Sequence, residues 1–345
     1  MAGGLGVSGP DGVSPRQRGR SDGRARSSGF KFYWPKIRIV ISIAMLLLVV
    51  HRVKWASLIP QGRAAIKLLI FAAVIAFVGI LLSVLRWQRV LSALGMKSRP
   101  LSLVRMYFAS LFVSNFLPST IGGDIARASW LSRLVPGSDD AVASVVLERF
   151  SGWFVLPVIT ITGLLLNPQL LRLGPASRLA VAVCVVTLIA LVGAVFLAFR
   201  SAPSNSNSER AVRRYIESIR SGLFGIVASP RLLVEVLAVS FAYQLVVVAS
   251  AVEISHALSL SLSWTVLLAF VPAVAILQVV PVTFGGLGIR EGAFILFLRP
   301  LGVSTSQAIA LGLLVYGINL ALSLFGAFAL AVGHKRDFAK PSVPV

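Results

Sequence analysis

The sequence predicts an all-α fold, a polytopic bundle of membrane-crossing helices. Composition is the first reason: of 345 residues, 57% are hydrophobic and 13% charged, with a mean hydropathy of +0.87, whereas soluble domains run at about 45–50% apolar and about 25% charged. Periodic length is the second, because apolar runs of the about 17–25 residues that a bilayer requires recur along the chain. The third is a pair of apolar stretches that are each interrupted by Pro and paired Gly. So few charged residues cannot cover one water-facing surface, which excludes soluble-enzyme and collagen-like classes.

The clear runs occupy about 37–53, 64–85, 142–166, 176–199, 231–255 and 304–333, giving six spans. Stretches 101–134 and 263–300 read as broken or re-entrant helix pairs. Ahead of the first span, residues 1–35 form a basic tail expected to be disordered, because Arg16, Arg18, Arg20, Arg24, Arg26 and Lys31 stand among Gly, Ser and Pro with only Asp11 and Asp22 opposing them. Such a tail suits either anionic headgroups on the cytoplasmic face, at about 1 kcal/mol per basic residue, or simple topogenic flanking. Residues 335–345 form a second cytoplasmic tail. Between spans four and five, residues 201–208 read as a Ser/Asn-rich linker. Residues 209–224 carry Val212, Tyr215, Ile216, Ile219 and Leu223 at helical spacing, as an interfacial helix or a solvated connecting helix would.

Basic residues orient the bundle. With both termini cytoplasmic, the inner segments (the tail through Lys36 and Arg38, 86–105, 200–231 and the carboxyl end) hold 22 of the 33 Lys and Arg, with Arg86 and Arg89 counted in the second of them. The outer loops near 51–67, 167–178 and 256–262 hold four, two and none, as the positive-inside rule expects in a plasma membrane. The first outer loop, with Arg52, Lys54, Arg63 and Lys67, is the misfit. The net charge of +21 is thus placed at membrane flanks, and no nucleic-acid partner is expected. Cys184 stands alone in an apolar run, and His51, His256 and His334 lie far apart, so no metal and no cofactor are expected.

The two broken stretches match. Pro118, Thr120, Gly122, Gly123 and Arg127 align with Pro281, Thr283, Gly285, Gly286 and Arg290 at a constant offset of 163, five identities in ten positions. Three crossings separate the copies, so they enter from opposite sides. The chain therefore reads as two inverted repeats, 37–166 and 176–333, each of three spans and one broken pair. Interrupted helices at corresponding positions of inverted halves are the mark of secondary transporters. Helices broken within hydrocarbon must face protein or a watery cavity, so a shared cavity is expected.

The same stretches carry ionisable residues at depth: Asp124 and Arg127, Arg290 and Glu291, and Glu148 with Arg149 inside a span. Each costs about 2.5–3.5 kcal/mol at a helix centre on insertion scales, which makes each a functional candidate. Paired glycines opening a half-helix expose amides and the positive dipole end, and an arginine one turn on adds a fork suited to phosphate. Headgroup binding is accordingly expected at Arg127, Arg290, Gly122, Gly123, Gly285, Gly286, Thr120 and Thr283. Asp124, Glu148, Glu291 and Arg149 are expected as cavity charges, with Glu148 or Glu291 able to couple movement to protons. The alternative is mutual neutralisation, Arg127 by Asp124 or Glu148 and Arg290 by Glu291.

Taken together, Asn115 to Arg127, Glu148-Arg149 and Pro281 to Glu291 resemble the lysylphosphatidylglycerol synthase transmembrane family, also called flippase-like domain proteins, over about residues 36–334. The resemblance implies an integral membrane domain that moves an anionic phospholipid or a polyprenyl-phosphate-linked lipid between leaflets. In the aminoacyl-lipid synthases a soluble transferase domain follows; only eleven residues follow His334 here, so lipid aminoacylation is not expected. Some relatives are described as glycosyltransferases or dolichol-phosphate sugar synthases. That keeps open a glycolipid-modifying enzyme, or a scaffold subunit working with a separate glycosyltransferase or lipid-synthesis enzyme. No Asp-x-Asp signature for a nucleotide sugar is present; Asp139-Asp140 looks like a helix-start cap.

Overall fold

The computed structural model describes residues 62–116, 122–134, 138–200, 207–279, 286 and 288–333. Among these are ten α-helices and no strand. They are α1 (Arg63–Ala93), α2 (Pro100–Phe116), α3 (Gly122–Leu134), α4 (Ser138–Leu166), α5 (Pro175–Arg200), α6 (Asn207–Ala228), α7 (Pro230–Ala257), α8 (Trp264–Leu277), α9 (Ile289–Leu298) and α10 (Thr305–Gly333). Short 3-10 turns follow α4 at Pro168–Arg172 and α9 at Arg299–Leu301. Five helices, α1, α4, α5, α7 and α10, contain segments long and apolar enough to cross a membrane, at the positions where the sequence predicts spans. The expected span at 37–53 and both tails lie outside the described residues.

One boundary moves. The apolar run that opens at residue 64 breaks at Arg86, yet α1 continues to Ala93 because Arg86, Trp87, Val90 and Leu91 are all buried. Arg86 is therefore a residue of the bundle interior rather than of a cytoplasmic loop. Arg89 stays on the helix exterior, 3.3 Å from Glu235 of α7.

The bundle wears its apolar residues outward. Val181, Val185, Val186, Ile189, Val192 and Phe196 of α5, and Ile66, Ile70, Phe71 and Val74 of α1, are exposed. Contiguous apolar exposure of this extent suits lipid rather than water. Inside, α8 is apolar on every side, and ten of its fourteen residues are buried, the pattern of a helix enclosed by others. Its Phe270 stacks on Phe297 of α9 at 4.8 Å between ring centres.

Helix pairs recur in exchangeable sets. α1 packs along α7, α4 against α8, and α10 against α2. Within each broken pair α2 meets α3 and α8 meets α9, while α3 lies on α4 and α9 on α10. Exchanging α1 with α7, α2 with α8, α3 with α9 and α4 with α10 turns each of these contacts into another of them. The two cross-contacts share a device. A Cβ at Gly163 of α4 would fall 2.5 Å from the Ala269 amide nitrogen of α8, and one at Gly326 of α10 would fall 2.0 Å from the Phe108 carbonyl oxygen of α2. These glycines are 163 residues apart, the offset of the two Pro-Gly-Gly stretches. Small residues at such crossings let backbones touch where no hydrophobic force drives helices together.

The amphipathic segment is a docked helix. α6 buries Ile226 and tucks Ile219 and Leu223 against Val90, Leu147 and Val236, and Arg214 lies 3.3 Å from Asp139 in the first turn of α4.

Substituting Gly163 or Gly326 by Ala is expected to cost about 1–3 kcal/mol through overpacking against backbone that cannot yield. Gly193→Ala, where nothing lies within 4 Å of the added carbon, is expected to leave stability unchanged. Thermal unfolding of the purified variants checks the contrast, and equal midpoints for all three would refute it.

Candidate functional site

Four of the ionisable residues singled out in the sequence meet in one cluster. Glu148, on α4, is 1% exposed and holds a different arginine on each oxygen. Arg127 of α3 donates from Nη2 to Glu148 Oε2 at 3.0 Å and lies 3.3 Å from Asp124 Oδ1. Asp124 also accepts from Arg149, at 3.0 Å from Nε and 3.1 Å from Nη2, a two-pronged pair of the stronger, charge-assisted kind. The fifth member is Arg86 of α1, whose Nε donates to Glu148 Oε1 at 2.9 Å and whose Nη2 also pairs with that oxygen. Three guanidinium groups against two carboxylates leave one positive charge over.

Aromatic faces complete the setting. The Arg127 guanidinium lies 4.6 Å from the ring centre of Trp87 and 4.9 Å from that of Tyr107, and Arg86 lies 5.0 Å from Tyr243. Ring quadrupoles of this kind attract a desolvated cation by about 2 kcal/mol. Trp87 is itself oriented by its indole N–H, which donates to the Ser144 hydroxyl at 3.1 Å.

Gly123 is placed by packing. Its Cβ would meet the Ser114 hydroxyl at 2.0 Å and the Ser110 carbonyl oxygen at 2.2 Å, so α3 can fold back on α2 only with glycine there. Gly122 opens α3 beside it.

The second set stands apart from the first in its bonding. Arg290 donates from Nε to Glu291 Oε1 at 3.1 Å and stacks on Tyr316 of α10 at 4.7 Å. The other carboxylate oxygen of Glu291 accepts the Gly288 amide, capping α9. Arg127 and Arg290 thus each close on acids of their own half of the chain. Gly286 adopts φ +73, and a side chain there would sit 2.9 Å from Gln278 Oε1. Thr120, Thr283 and Gly285 lie outside the described residues.

Beside the first cluster opens a cavity of about 780 Å³. Asp124, Ile125 and Ala128, just after the first Gly-Gly, form one wall, and Ala275, Gln278 and Val279, just before the second motif, form another. Arg86, Arg149 and Tyr243 line it as well; Arg127 and Arg290 are not among the lining residues. Its remaining surface is largely apolar and aromatic, including Val145, Phe150 and Trp153. Among the described residues no three His, Cys, Asp or Glu side chains gather as a metal ion would require.

Arg86 is the member that sequence reading missed. It follows an apolar run and so resembles a loop flank; the available signal was Glu148, an acid inside a span that needs a basic partner from another helix.

A multi-pass α-helical membrane protein, with a charge cluster buried beside a largely apolar cavity, is the class that this fold and site define. The model of the lysylphosphatidylglycerol synthase TM region matches residues 36–326, and the chain belongs to that family. It is also similar to a UPF0104 membrane protein of Methanothermobacter thermautotrophicus, 24% identical over 298 residues that cover 79% of this chain and 86% of the relative.

Glu148→Ala would strand two buried guanidinium groups, a loss of about 3–5 kcal/mol for one partner of a buried pair. Asp124→Ala should cost less, since Arg127 keeps Glu148 and Arg149, the other partner, has a side chain 47% exposed. Thermal unfolding of both variants checks the order, and a Glu148→Ala protein as stable as Asp124→Ala would overturn it.

Proposed function

We propose that this protein moves an anionic lipid, a phospholipid or a polyprenyl-phosphate-linked lipid, between the leaflets of a plasma membrane. The observation that carries the reading is the cavity: residues adjoining both Pro-Gly-Gly stretches wall it, and a charge cluster with one positive charge in excess borders it. A headgroup phosphate in that space meets Arg149 at the wall, with Arg127, Gly122 and Gly123 behind it organising the cluster. Arg290, Gly286, Gly285, Thr120 and Thr283 belong to the same path in the proposal, engaged as the second half moves. An apolar wall beside the charges suits the start of the acyl or prenyl chain.

The exchangeable helix contacts and the paired glycines Gly163 and Gly326 support two structurally equivalent halves. In the proposed topology these halves are inverted and both termini are cytoplasmic. Alternating exposure of the cavity then follows from rocking one half on the other. Glu148 and Glu291 each accept from an arginine, so protonating either would loosen its half, which is how a proton gradient would couple to movement.

Reconstitution in liposomes with labelled lipids tests the function. The purified protein is expected to accelerate transfer between leaflets, and Arg127→Ala, Arg149→Ala and Arg290→Ala to slow it by about tenfold or more, which corresponds to about 1.4 kcal/mol. Lysine at the same positions should restore part of the rate, because a point charge replaces only part of the fork. No acceleration by the wild type would end the transport reading, and equal rates with and without an imposed pH gradient would remove the coupling role of the two acids.

Cysteine labelling in intact cells tests the topology. An impermeant reagent should reach positions near His256 and Phe284 and should miss Arg213→Cys and Arg105→Cys. Labelling of Arg213→Cys would overturn the proposed orientation.

A further inference from the structure

α6 has two faces, and the bundle occupies one. Ile219, Leu223 and Ile226 pack on Val90, Leu147 and Val236. Arg214 pairs with Asp139 at 3.3 Å, and the Ser218 hydroxyl donates to Asp140. Two glycines press the helix onto the end of α1: a Cβ at Gly225 would fall 2.8 Å from the Ala93 carbonyl oxygen, and one at Gly222 would fall 2.7 Å from Leu94 Cδ2. α6 is therefore a strap laid across the end of α1 and the beginnings of α4 and α7.

The opposite face is not that of a helix bathed in water. Arg220, Phe224 and Val227 stand at i, i+4 and i+7, so they share one stripe. All three are exposed, Phe224 by 66% and Val227 by 57%, where a solvated helix would carry polar residues. The apolar exposure continues past the joint. Ser229 alone separates α6 from α7, and Val234 is 64% exposed on α7, a helix of membrane-spanning length. Phe224 and Val227 therefore lie at the level where the bilayer begins.

Charge points to the kind of surface that covers this face. Residues 207–231 hold five arginines and two glutamates. The side chains of Arg214 and Arg231 stay 67% and 91% exposed although each touches an acid, so both still present their charge outward. Basic residues around an apolar stripe are the make-up of helices that lie in the interface of an anionic membrane.

We propose that the outer face of α6 is a membrane-surface contact, with Phe224 and Val227 set into the headgroup boundary and the arginines around them holding anionic headgroups. These lipids stay in their leaflet and are distinct from any molecule in the cavity, so the inference does not depend on the transport reading. Tyr215, on the same helix, lines the cavity, and α6 thus joins the membrane surface to the cavity wall.

Spin labelling of the full chain in nanodiscs tests this. The label is placed on Phe224→Cys in a Cys184→Ala background, with a reference label on Val186→Cys, at a site of α5 that is 64% exposed. A neutral nickel chelate should reach the Phe224→Cys label about threefold less in discs of equal parts phosphatidylglycerol and phosphatidylcholine than in phosphatidylcholine alone, with the reference unchanged. Salt at about 1 M, where screening shortens to about 3 Å, should abolish the difference. Arg220→Gln with Arg231→Gln, which leaves the Arg214 pin on Asp139 in place, should cut it by about half at an unchanged thermal midpoint. A label open to nickel in both membranes leaves this face to water or to a soluble partner and overturns the proposal. Equal shielding in the two membranes, or a difference that salt does not touch, removes the anionic headgroups and overturns it as well.

Discussion

A carboxylate held between two arginines inside a membrane protein is the constraint on which this structure turns. Glu148 has no water to solvate it, and isolated charge in an apolar medium is far too costly to persist. Arg86 and Arg127 supply the compensation, and they come from α1 and α3. One side chain on α4 thereby fastens three helices. Asp124 extends the network to Arg149, and the aromatic faces of Trp87, Tyr107 and Tyr243 accept the guanidinium planes that the acids leave uncovered. Glu148 is the member whose removal strands buried charge, because Arg86 and Arg127 both close on it.

Around that cluster the packing is arranged by what is missing from side chains. Gly123 admits α2, Gly163 admits α8, Gly326 admits α2 from α10, and Gly312 leaves room for the Glu291 carboxylate, whose Oε1 lies 3.4 Å from where its Cβ would be. In lipid the tails are as apolar as leucine, and helices associate by close contact and polar pairing rather than by escape from water. The broken pairs α2–α3 and α8–α9 reach into the bundle on such contacts. A cavity opens among Asp124, Ile125 and Ala128 of α3 and Ala275, Gln278 and Val279 at and just past the end of α8, lined by charged, apolar and aromatic residues. That mixture is what an amphiphile needs, since headgroup and chain call for opposite surroundings.

Much of this was legible beforehand. Five described spans fall where apolar runs of membrane length occur, because a bilayer of fixed thickness imposes a length that any sequence must meet. The breaks between α2 and α3 and between α8 and α9 were legible as well, since a Pro followed by paired Gly disfavours helix more than the lone Pro157 and Pro272, which stay inside α4 and α8. Asp124, Arg127, Glu148 and Arg149 announced themselves by rarity; the alternative set against headgroup binding was neutralisation of Arg127 by Asp124 or Glu148, and Arg127 bonds to both.

Other features depended on the third dimension. Arg86 ended an apolar run and had the look of a loop residue; only the course of α1 past α4 places it 2.9 Å from Glu148. Which arginines face the cavity could not follow from spacing, because Arg127 and Arg149 stand on different helices and differ in burial rather than in chemistry. What the sequence by itself determined was the solvent, the crossings and the set of charges that had to be paired, since hydrophobic length and the cost of burying charge are properties of residues. What the tertiary structure decided was who pairs with whom and what is left over to line the cavity, since contacts between helices 62 residues apart in the chain, as Arg86 and Glu148 are, exist only after those helices have packed.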